Sequence, residues 1–415
     1  MDTRISLLDG KQIVLGVTGG IAAYKSADLA SRLVQAGARV DVVMTAGAVE
    51  FVKPLTFQAL TRRPVALEMF TLLQETEIGH VSLGKRADLM IIAPATANTI
   101  GKLAHGLADN MLTTTALACR GPILLAPAME SGMWEAPVTL ANVEILKSRG
   151  AYTVGPASGR LASGGQGYGR MSEPAAIIDA ARWVLGRGGS LAGTAVIVTA
   201  GGTREAIDPV RYVGNRSSGK MGYALAAAAR DRGAMVTLIH GPAALEAPYG
   251  VKEVAVESCA DMQRTVLESI GGADALVMAA AVADYRPEAA APQKIKKGDA
   301  GLALNLVRTP DILSAVAAQR GAGGRLKAVI GFAAETRDVL ENAREKLVRK
   351  KLDLIVANDV SAVDSGFEVD TNRVTLLDAS GGRDPLPLMS KPAVAERIID
   401  RLVAMLAHGS PIDAP

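Results

Sequence analysis

Hydrophobic positions along the chain fall into two alternating series. Gln12–Thr18 (QIVLGVT) is a short apolar run that reaches Gly19-Gly20, and the Ala-rich stretch Ile21–Ala36 carries its apolar residues at helical spacing. That pattern predicts a strand, a tight loop and a helix. After Gly37 the run Val40–Met44 predicts the next strand, and Leu89–Ala93 and Pro122–Ala126 predict two more, each followed by small or polar residues. Continuous apolar runs joined by helical stretches predict a parallel sheet covered on both faces. The same opening recurs at Ala195–Thr199 (AVIVT), which runs into Ala200-Gly201-Gly202. Met235–Ile239, Ala275–Ala280, Ala328–Phe332 and Asp353–Ala357 continue the second series. Between the series lies Gly186–Gly193 (GRGGSLAG), a connector by composition. The expected domains are residues 1–187 and 188–415, each an α/β layer structure with a mainly parallel sheet between helices.

Composition narrows this picture. Hydrophobic residues make up 49% of the 415 and aromatics 3%, so the cores are built mainly from Ala, Val, Leu and Ile. A chain of this length exceeds what one core supports. A net charge of +3 does not supply the basic face of a nucleic-acid binder, whereas phosphate-sized anions suit it. No apolar run reaches the ~18–20 residues of a spanning helix, so no membrane partner is expected. Cys119 and Cys259, with no secretory segment ahead of the first strand, read as reduced thiols of a cytoplasmic protein. His80, His105, His240 and His408 are widely spaced and lack cysteine partners, so they form no metal-ligand constellation. The tail His408–Pro415 is expected to fray.

Each Gly-Gly loop stands where a strand hands over to a helix, so backbone N–H groups can approach an anion at the positive helix end. Neither loop has dinucleotide or P-loop spacing, which disfavours an NAD-dependent dehydrogenase and leaves a tight structural turn as an equal reading of each loop alone. The surroundings of the first loop decide. T-G-G-I-A-A-Y-K (Thr18–Lys25), Met44-Thr45, His80 in G-H-V-S-L and A-P-A-T-A-N-T-I-G-K-L-A-H-G-L-A-D-N-M-L (Ala93–Leu112) occur in that order. Over about residues 10–180 the chain thereby resembles the homo-oligomeric flavin-containing cysteine decarboxylases. The resemblance implies a flavodoxin-like domain. It also implies flavin mononucleotide (FMN) held by Gly19, Gly20, Ile21, Ala22, Thr45, Pro94, Ala95, Thr96 and Asn98, with His80 as the base. An imidazole, with an ordinary pKa near ~6.5, suits that role. His105 lies in the matched segment but reads as structural.

Two positions depart from the family pattern. Where the family has P-x-M-N-x-x-M-W, Pro127–Trp134 reads P-A-M-E-S-G-M-W, so Glu130 replaces the asparagine that meets the substrate carboxylate, with Met133 nearby. Two carboxylates about 4 Å apart repel by several kcal/mol in a dry site unless Glu130 is protonated or turned away. In the substrate-covering flap, Leu161–Met171 reads L-A-S-G-G-Q-G-Y-G-R-M, so Ser163 replaces the cysteine that protonates the enethiol, while Arg170 and Met171 match. An alcohol cannot release a proton as a thiol of pKa about 8.5 does.

The second series carries longer motifs. They are A-G-G-T-R-E (Ala200–Glu205), D-P-V-R-Y-V-G-N-R-S-S-G-K-M-G (Asp208–Gly222), A-A-A-V-A-D-Y-R-P (Ala279–Pro287), K-I-K-K (Lys294–Lys297), G-F-A-A-E-T (Gly331–Thr336) and K-L-D-L-I-V-A-N-D-V (Lys351–Val360). Donors and a cation gathered in a glycine-containing loop before an Ala-rich helix suit phosphate binding. Residues 190–405 resemble phosphopantothenate–cysteine ligases, with a Rossmann-like fold. The resemblance implies that the carboxylate of 4′-phosphopantothenate attacks the α-phosphate of CTP, and that the L-cysteine amine then displaces CMP. Asn215 would stabilise the acyl-cytidylate, Lys294 would act in the chemical steps, and Asp284 would meet the ribose or a metal, expected to be Mg2+. Met278, Ala279, Ala280, Pro310, Asp311, Ile312, Leu313 and Phe332 would line the nucleotide, and Lys346 and Lys350, one helical turn apart, would meet the triphosphate.

Together the halves resemble the fused bifunctional enzymes of coenzyme A biosynthesis. Ligation followed by decarboxylation is the expected function. An active ligase fused to an altered flavoprotein domain is an alternative that Glu130 and Ser163 suggest, and a regulatory flavin-binding partner protein is another. The resemblance implies homo-oligomers, with trimeric flavoprotein contacts and dimeric ligase contacts that together allow a dodecamer.

Overall fold

The computed structural model describes residues 7–69, 79–297, 302–320, 324–335, 337–359 and 369–408. Contacts divide the chain into two compact units, one within 3–186 and one within 187–415. Thr336 and Val360, each the last residue of a quoted motif, lie outside the described residues, as does the tail after His408.

The first unit runs β1 (Gln12–Val17), α1 (Ala23–Gln35), β2 (Arg39–Met44), α2 (Ala46–Val49), α3 (Pro54–Thr61), β3 (Val65–Ala66), α4 (Gly79–Arg86), β4 (Leu89–Ala95) and α5 (Ala97–Ala104). It continues with α6 (Met111–Ala118), β5 (Ile123–Pro127), α7 (Ser131–Glu135), α8 (Pro137–Ser148), β6 (Tyr152–Thr153), β7 (Ala157–Arg160), β8 (Gln166–Arg170) and α9 (Pro174–Gly186). β1 to β6 form one parallel sheet in the order β3-β2-β1-β4-β5-β6. β4 is buried at every position, which is why Leu89–Ala95 shows no polar alternation. The order reverses between β1 and β4, so a crevice opens at the carboxyl ends of those two strands. β7 and β8 form a separate antiparallel hairpin.

The second unit runs β9 (Ala195–Ala200), β10 (Arg204–Ala206), β11 (Tyr212–Gly214), α10 (Lys220–Asp231), β12 (Met235–His240), β13 (Lys252–Ala255), α11 (Cys259–Ser269), β14 (Ala275–Met278), β15 (Tyr285–Pro287) and β16 (Leu306–Arg308). It ends with α12 (Ile312–Gln319), β17 (Ala328–Glu335), α13 (Val339–Arg349), β18 (Leu354–Asp359), β19 (Thr371–Asn372), β20 (Val374–Asp378), β21 (Arg383–Pro385), β22 (Met389–Ser390) and α14 (Lys391–His408). Eight strands form one sheet in the order β13-β12-β9-β14-β17-β18-β20-β21, reversing between β9 and β14. Its first six strands are parallel, and β20 and β21 extend it antiparallel. Val196 and Val198 pack with α10 and α14 in one core, and Ile197 packs with α11, α12 and α13 in the other, as the two-residue period of a strand requires. β14 stops at Met278 rather than Ala280, because Ala280 and Ala281 leave the ladder to bond Thr199 Oγ1 and Gly201 O. Among the described residues no helix is long and apolar enough to cross a membrane.

Candidate functional site

In the first unit the loops after β1, β2 and β4 meet at the crevice. A Cβ on Gly19 would lie 2.8 Å from the Gly47 carbonyl carbon, so only glycine lets the first loop pass α2. A Cβ on Gly20 would meet nothing nearer than Thr96 Cγ2 at 3.7 Å, so that position leaves room over the loop. Thr45 and Thr96 cap α2 and α5 by accepting from the Ala48 and Thr99 N–H groups. Ile21 and Asn98 are exposed, Ala22 is partly buried, and Pro94 and Ala95 close the buried end of β4. Thr18 went unassigned in the sequence, yet its buried hydroxyl donates to Pro94 O at 2.7 Å and accepts from Thr96 N–H at 3.3 Å. Ser26 Oγ donates to Ala93 O at 2.6 Å, so side chains from the first loop and helix brace the third loop.

His80 sits in the first turn of α4, and its Nδ1 is buried with no hydrogen-bond partner among the described residues. A buried ring nitrogen without a partner calls for a ligand or a reacting group. His105 is the exposed C-cap residue of α5, one helix length from Thr96.

The segment expected to cover the substrate forms the β7–β8 hairpin, with Ser163 on its exposed turn. Gly169 has φ +143°, its carbonyl accepts from Met129 N–H at 2.9 Å, and a Cβ there would collide with Met129 O. The hairpin thereby lies against the turn that carries Glu130. Glu130 is exposed and its carboxylate accepts from Gly132 N–H at 2.6 Å, so it caps its own helix α7. That bond holds the carboxylate at the first turn of its own helix. Met133 is half exposed, and Arg170 pairs with Glu173 at 2.8 Å. Met171, expected to meet substrate, has a side chain 1% exposed, so packing keeps it in the core.

In the second unit the loops after β9 and β14 are laced together. Ala281 N–H donates to Gly201 O at 2.8 Å, Ala283 N–H to Thr203 Oγ1 at 2.9 Å, and Asn215 Nδ2 to Val282 O at 2.9 Å. Asn215, Asp284 and Lys294 are exposed, while Ala279 and Ala280 are partly buried at the strand end. Beside them Lys346 Nζ donates to Phe332 O at 2.8 Å, and Lys350 Nζ pairs with the Asp311 carboxylate and donates to Ser314 Oγ at 2.8 Å. Burial pushes the Lys346 ammonium below the ordinary lysine value, and Glu335, Asp284 and Asp311 oppose that shift. Asp311 caps α12; burial raises its carboxyl, but the bonds from Lys350 and Ser314 hold it below the usual range. Cys259 Sγ, pushed up to about 11 by burial, donates to the carbonyl of Pro310, which is itself exposed. The side chains of Met278, Ile312 and Leu313 belong to the core, so a nucleotide would meet only their backbone.

Asp208 and Arg211 belong to the same sequence motif as Asn215. Asp208 Oδ2 accepts from Ile295 N–H at 3.1 Å and Arg211 NH1 donates to Ile295 O at 3.2 Å. Both backbone polar groups between Lys294 and Lys296 are thus held by the turn that joins β10 to β11, the hairpin after which Asn215 follows. The only sequence signal was co-occurrence with the Asn215 motif. Among the described residues no group of three or more His, Cys, Asp or Glu side chains could hold a metal ion. A single carboxylate such as Asp284 fits Mg2+ only if it arrives with phosphates.

Comparison with known proteins finds a match for each unit. Residues 4–185 match the model of the flavoprotein family, and residues 191–406 match that of the DNA/pantothenate metabolism flavoprotein C-terminal domain. The coenzyme A biosynthesis bifunctional protein CoaBC of Bacillus subtilis is 46% identical over 402 residues, covering 96% of this chain and 98% of the relative. The corresponding proteins of Escherichia coli K12 (45% over 400 residues, 95% and 97% covered) and Mycobacterium bovis (46% over 409 residues, 96% and 97% covered) match as fully. The chain belongs to the family of bifunctional coenzyme A biosynthesis proteins, in which a flavoprotein domain and a ligase domain share one polypeptide.

Proposed function

We propose that the second unit joins 4′-phosphopantothenate to L-cysteine with CTP through an acyl-cytidylate, and that the first unit then decarboxylates the product with FMN to give 4′-phosphopantetheine. The observation that carries the ligation is the cluster of Lys346, Lys350, Asp311 and Asp284 at the carboxyl ends of the sheet. Two cations held beside two carboxylates fit a triphosphate that brings a divalent ion: the lysines meet phosphate oxygens while Asp284 takes the ion. Asn215 supplies amide hydrogen bonds to the acyl-cytidylate. Lys294, on a segment fixed through Ile295, neutralises the charge that develops as pyrophosphate and then CMP leave.

In the first unit the uncrowded face of Gly20 and the unpartnered Nδ1 of His80 fit a bound flavin. Bound FMN would supply the reversible two-electron oxidation that makes the cysteinyl carboxyl a good leaving group. His80 moves the proton, Arg170 faces the substrate carboxylate, and the flap orders the substrate over the site. Ser163 is exposed at the flap tip, so the last proton comes from solvent rather than from a side chain. The alternatives of a lost decarboxylase and a regulatory partner are less well supported, because Glu130 is occupied as a helix cap. Substituting Ser163→Cys tests this assignment: the rate of enethiol reduction should rise ~10-fold or more. An unchanged rate, read by mass spectrometry of the thiol products, would count against it.

We also place the enzyme in the cytoplasm as a homo-oligomer of flavoprotein trimers and ligase dimers. Ile21 and Tyr24, each 61% exposed beside the flavin loop, and Leu55, 72% exposed, support a covering copy in the first unit.

A further inference from the structure

Lys25 closes the motif that begins at Thr18, yet neither the flavin site nor the flap chemistry uses it. Its side chain is 9% exposed, unusual for a lysine, and its Nζ donates to Glu173 Oε1 at 2.8 Å and to Met171 O at 3.4 Å. The same Glu173 oxygen accepts from Arg170 NH2 at 2.8 Å. Lys25 lies on α1 just after the Gly19-Gly20 loop, whereas Met171 and Glu173 form the root of the flap hairpin, immediately after β8. A buried ammonium thus anchors one carboxylate, and that carboxylate holds the guanidinium that faces the substrate.

We propose that Lys25 is a positioning residue for decarboxylation: acting through Glu173, it fixes the flap root and Arg170 against the helix that follows the flavin loop. This rests on the reading of the first unit as an FMN-dependent decarboxylase. The hydrogen bond from Lys25 is the main reason the Glu173 carboxyl sits below its usual range, with Arg170 adding to it. The two partners are not equivalent. Removing the carboxylate strands a buried ammonium, whereas removing the ammonium releases a carboxylate that is 58% exposed and readily hydrated.

The test compares the full-length holoenzyme with Lys25→Met, Lys25→Arg, Glu173→Gln and the Lys25→Met/Glu173→Gln double variant. Lys25→Met is expected to keep its FMN absorbance and unchanged CTP-dependent ligation. Its kcat/KM for phosphopantothenoylcysteine should fall about 10- to 100-fold, the scale of a misplaced positioning group. Amide exchange across residues 157–171 should quicken at least tenfold, Lys25→Arg should restore most of the rate, and the double variant should lose no more than Glu173→Gln alone. Loss of FMN from Lys25→Met, or flap exchange equal to the parent's, would overturn the proposal. A parent enzyme that shows no decarboxylation would instead defeat the reading beneath it. The exchange measurement still decides whether Lys25 holds the flap. If Lys25→Met fails to fold, the Glu173→Gln exchange profile gives the same decision.

Discussion

Lys346 is half-buried with its ammonium close to three carboxylates, and burial still pushes its pKa down. The charged form is therefore penalised in the folded protein. The resulting cost to stability is present while the amine is charged and fades as pH rises through its lowered value. A bound triphosphate reverses that preference, so nucleotide binding takes up a proton. Affinity for CTP should then weaken with rising pH from below the ordinary lysine value, and Lys346→Met should abolish that limb. The same variant should lower kcat/KM for CTP about 100-fold while its Tm stays within about 2 °C of the parent, because removing a costly buried charge offsets the lost contacts. Initial rates against pH and a thermal scan check both halves. At this scale the sequence identified chemical types but not directions. Glu130 reads in the sequence as a carboxylate that repels another unless it is protonated or turned away; its bond to Gly132 N–H, which depends on the backbone turn before α7, is what the residues alone do not give. Thr18 and Asp208 were invisible as site residues because their partners lie about eighty positions away in the chain.

The loops that follow the strands carry both sites, and glycine decides how closely they approach. Gly169→Ala would meet both a left-handed backbone and the Met129 carbonyl, so the flap could not lie on the turn carrying Glu130. FMN absorbance should survive, with decarboxylation reduced at least tenfold and ligation unchanged, as separate product assays would report. The apolar runs placed the central strands well, since a run buried on both faces has one plausible role in an α/β sheet. They missed the ends. β14 stops two residues early because Ala280 bonds sideways, and the mainly parallel sheet carries an antiparallel β20–β21 edge that no apolar run marked. The hairpin turn at Gly381, with φ +92°, is the local signal that was present and unread.

Two compact units with separate cores should melt separately. In a calorimetric scan of the intact chain, FMN at ~100 times its Kd should raise only one transition, and CTP with Mg2+ only the other. Each shift should be about 5–10 °C. One ligand that raised both transitions equally would contradict this independence. The repeated strand–Gly-Gly opening made the doubling of the architecture legible, although only the first leads straight into a helix: Gly201-Gly202 runs into the β10–β11 hairpin, and α10 begins at Lys220. What the ligands are came from long motifs rather than from periodicity.

The most direct test of the whole reading is a mass-spectrometric time course with purified protein, 4′-phosphopantothenate, L-cysteine, CTP and Mg2+. Phosphopantothenoylcysteine should form with one CMP per ligation and then decline as 4′-phosphopantetheine and carbon dioxide appear. If CTP persists unconsumed while both acceptor and amine are present, the assignment of the second unit is wrong.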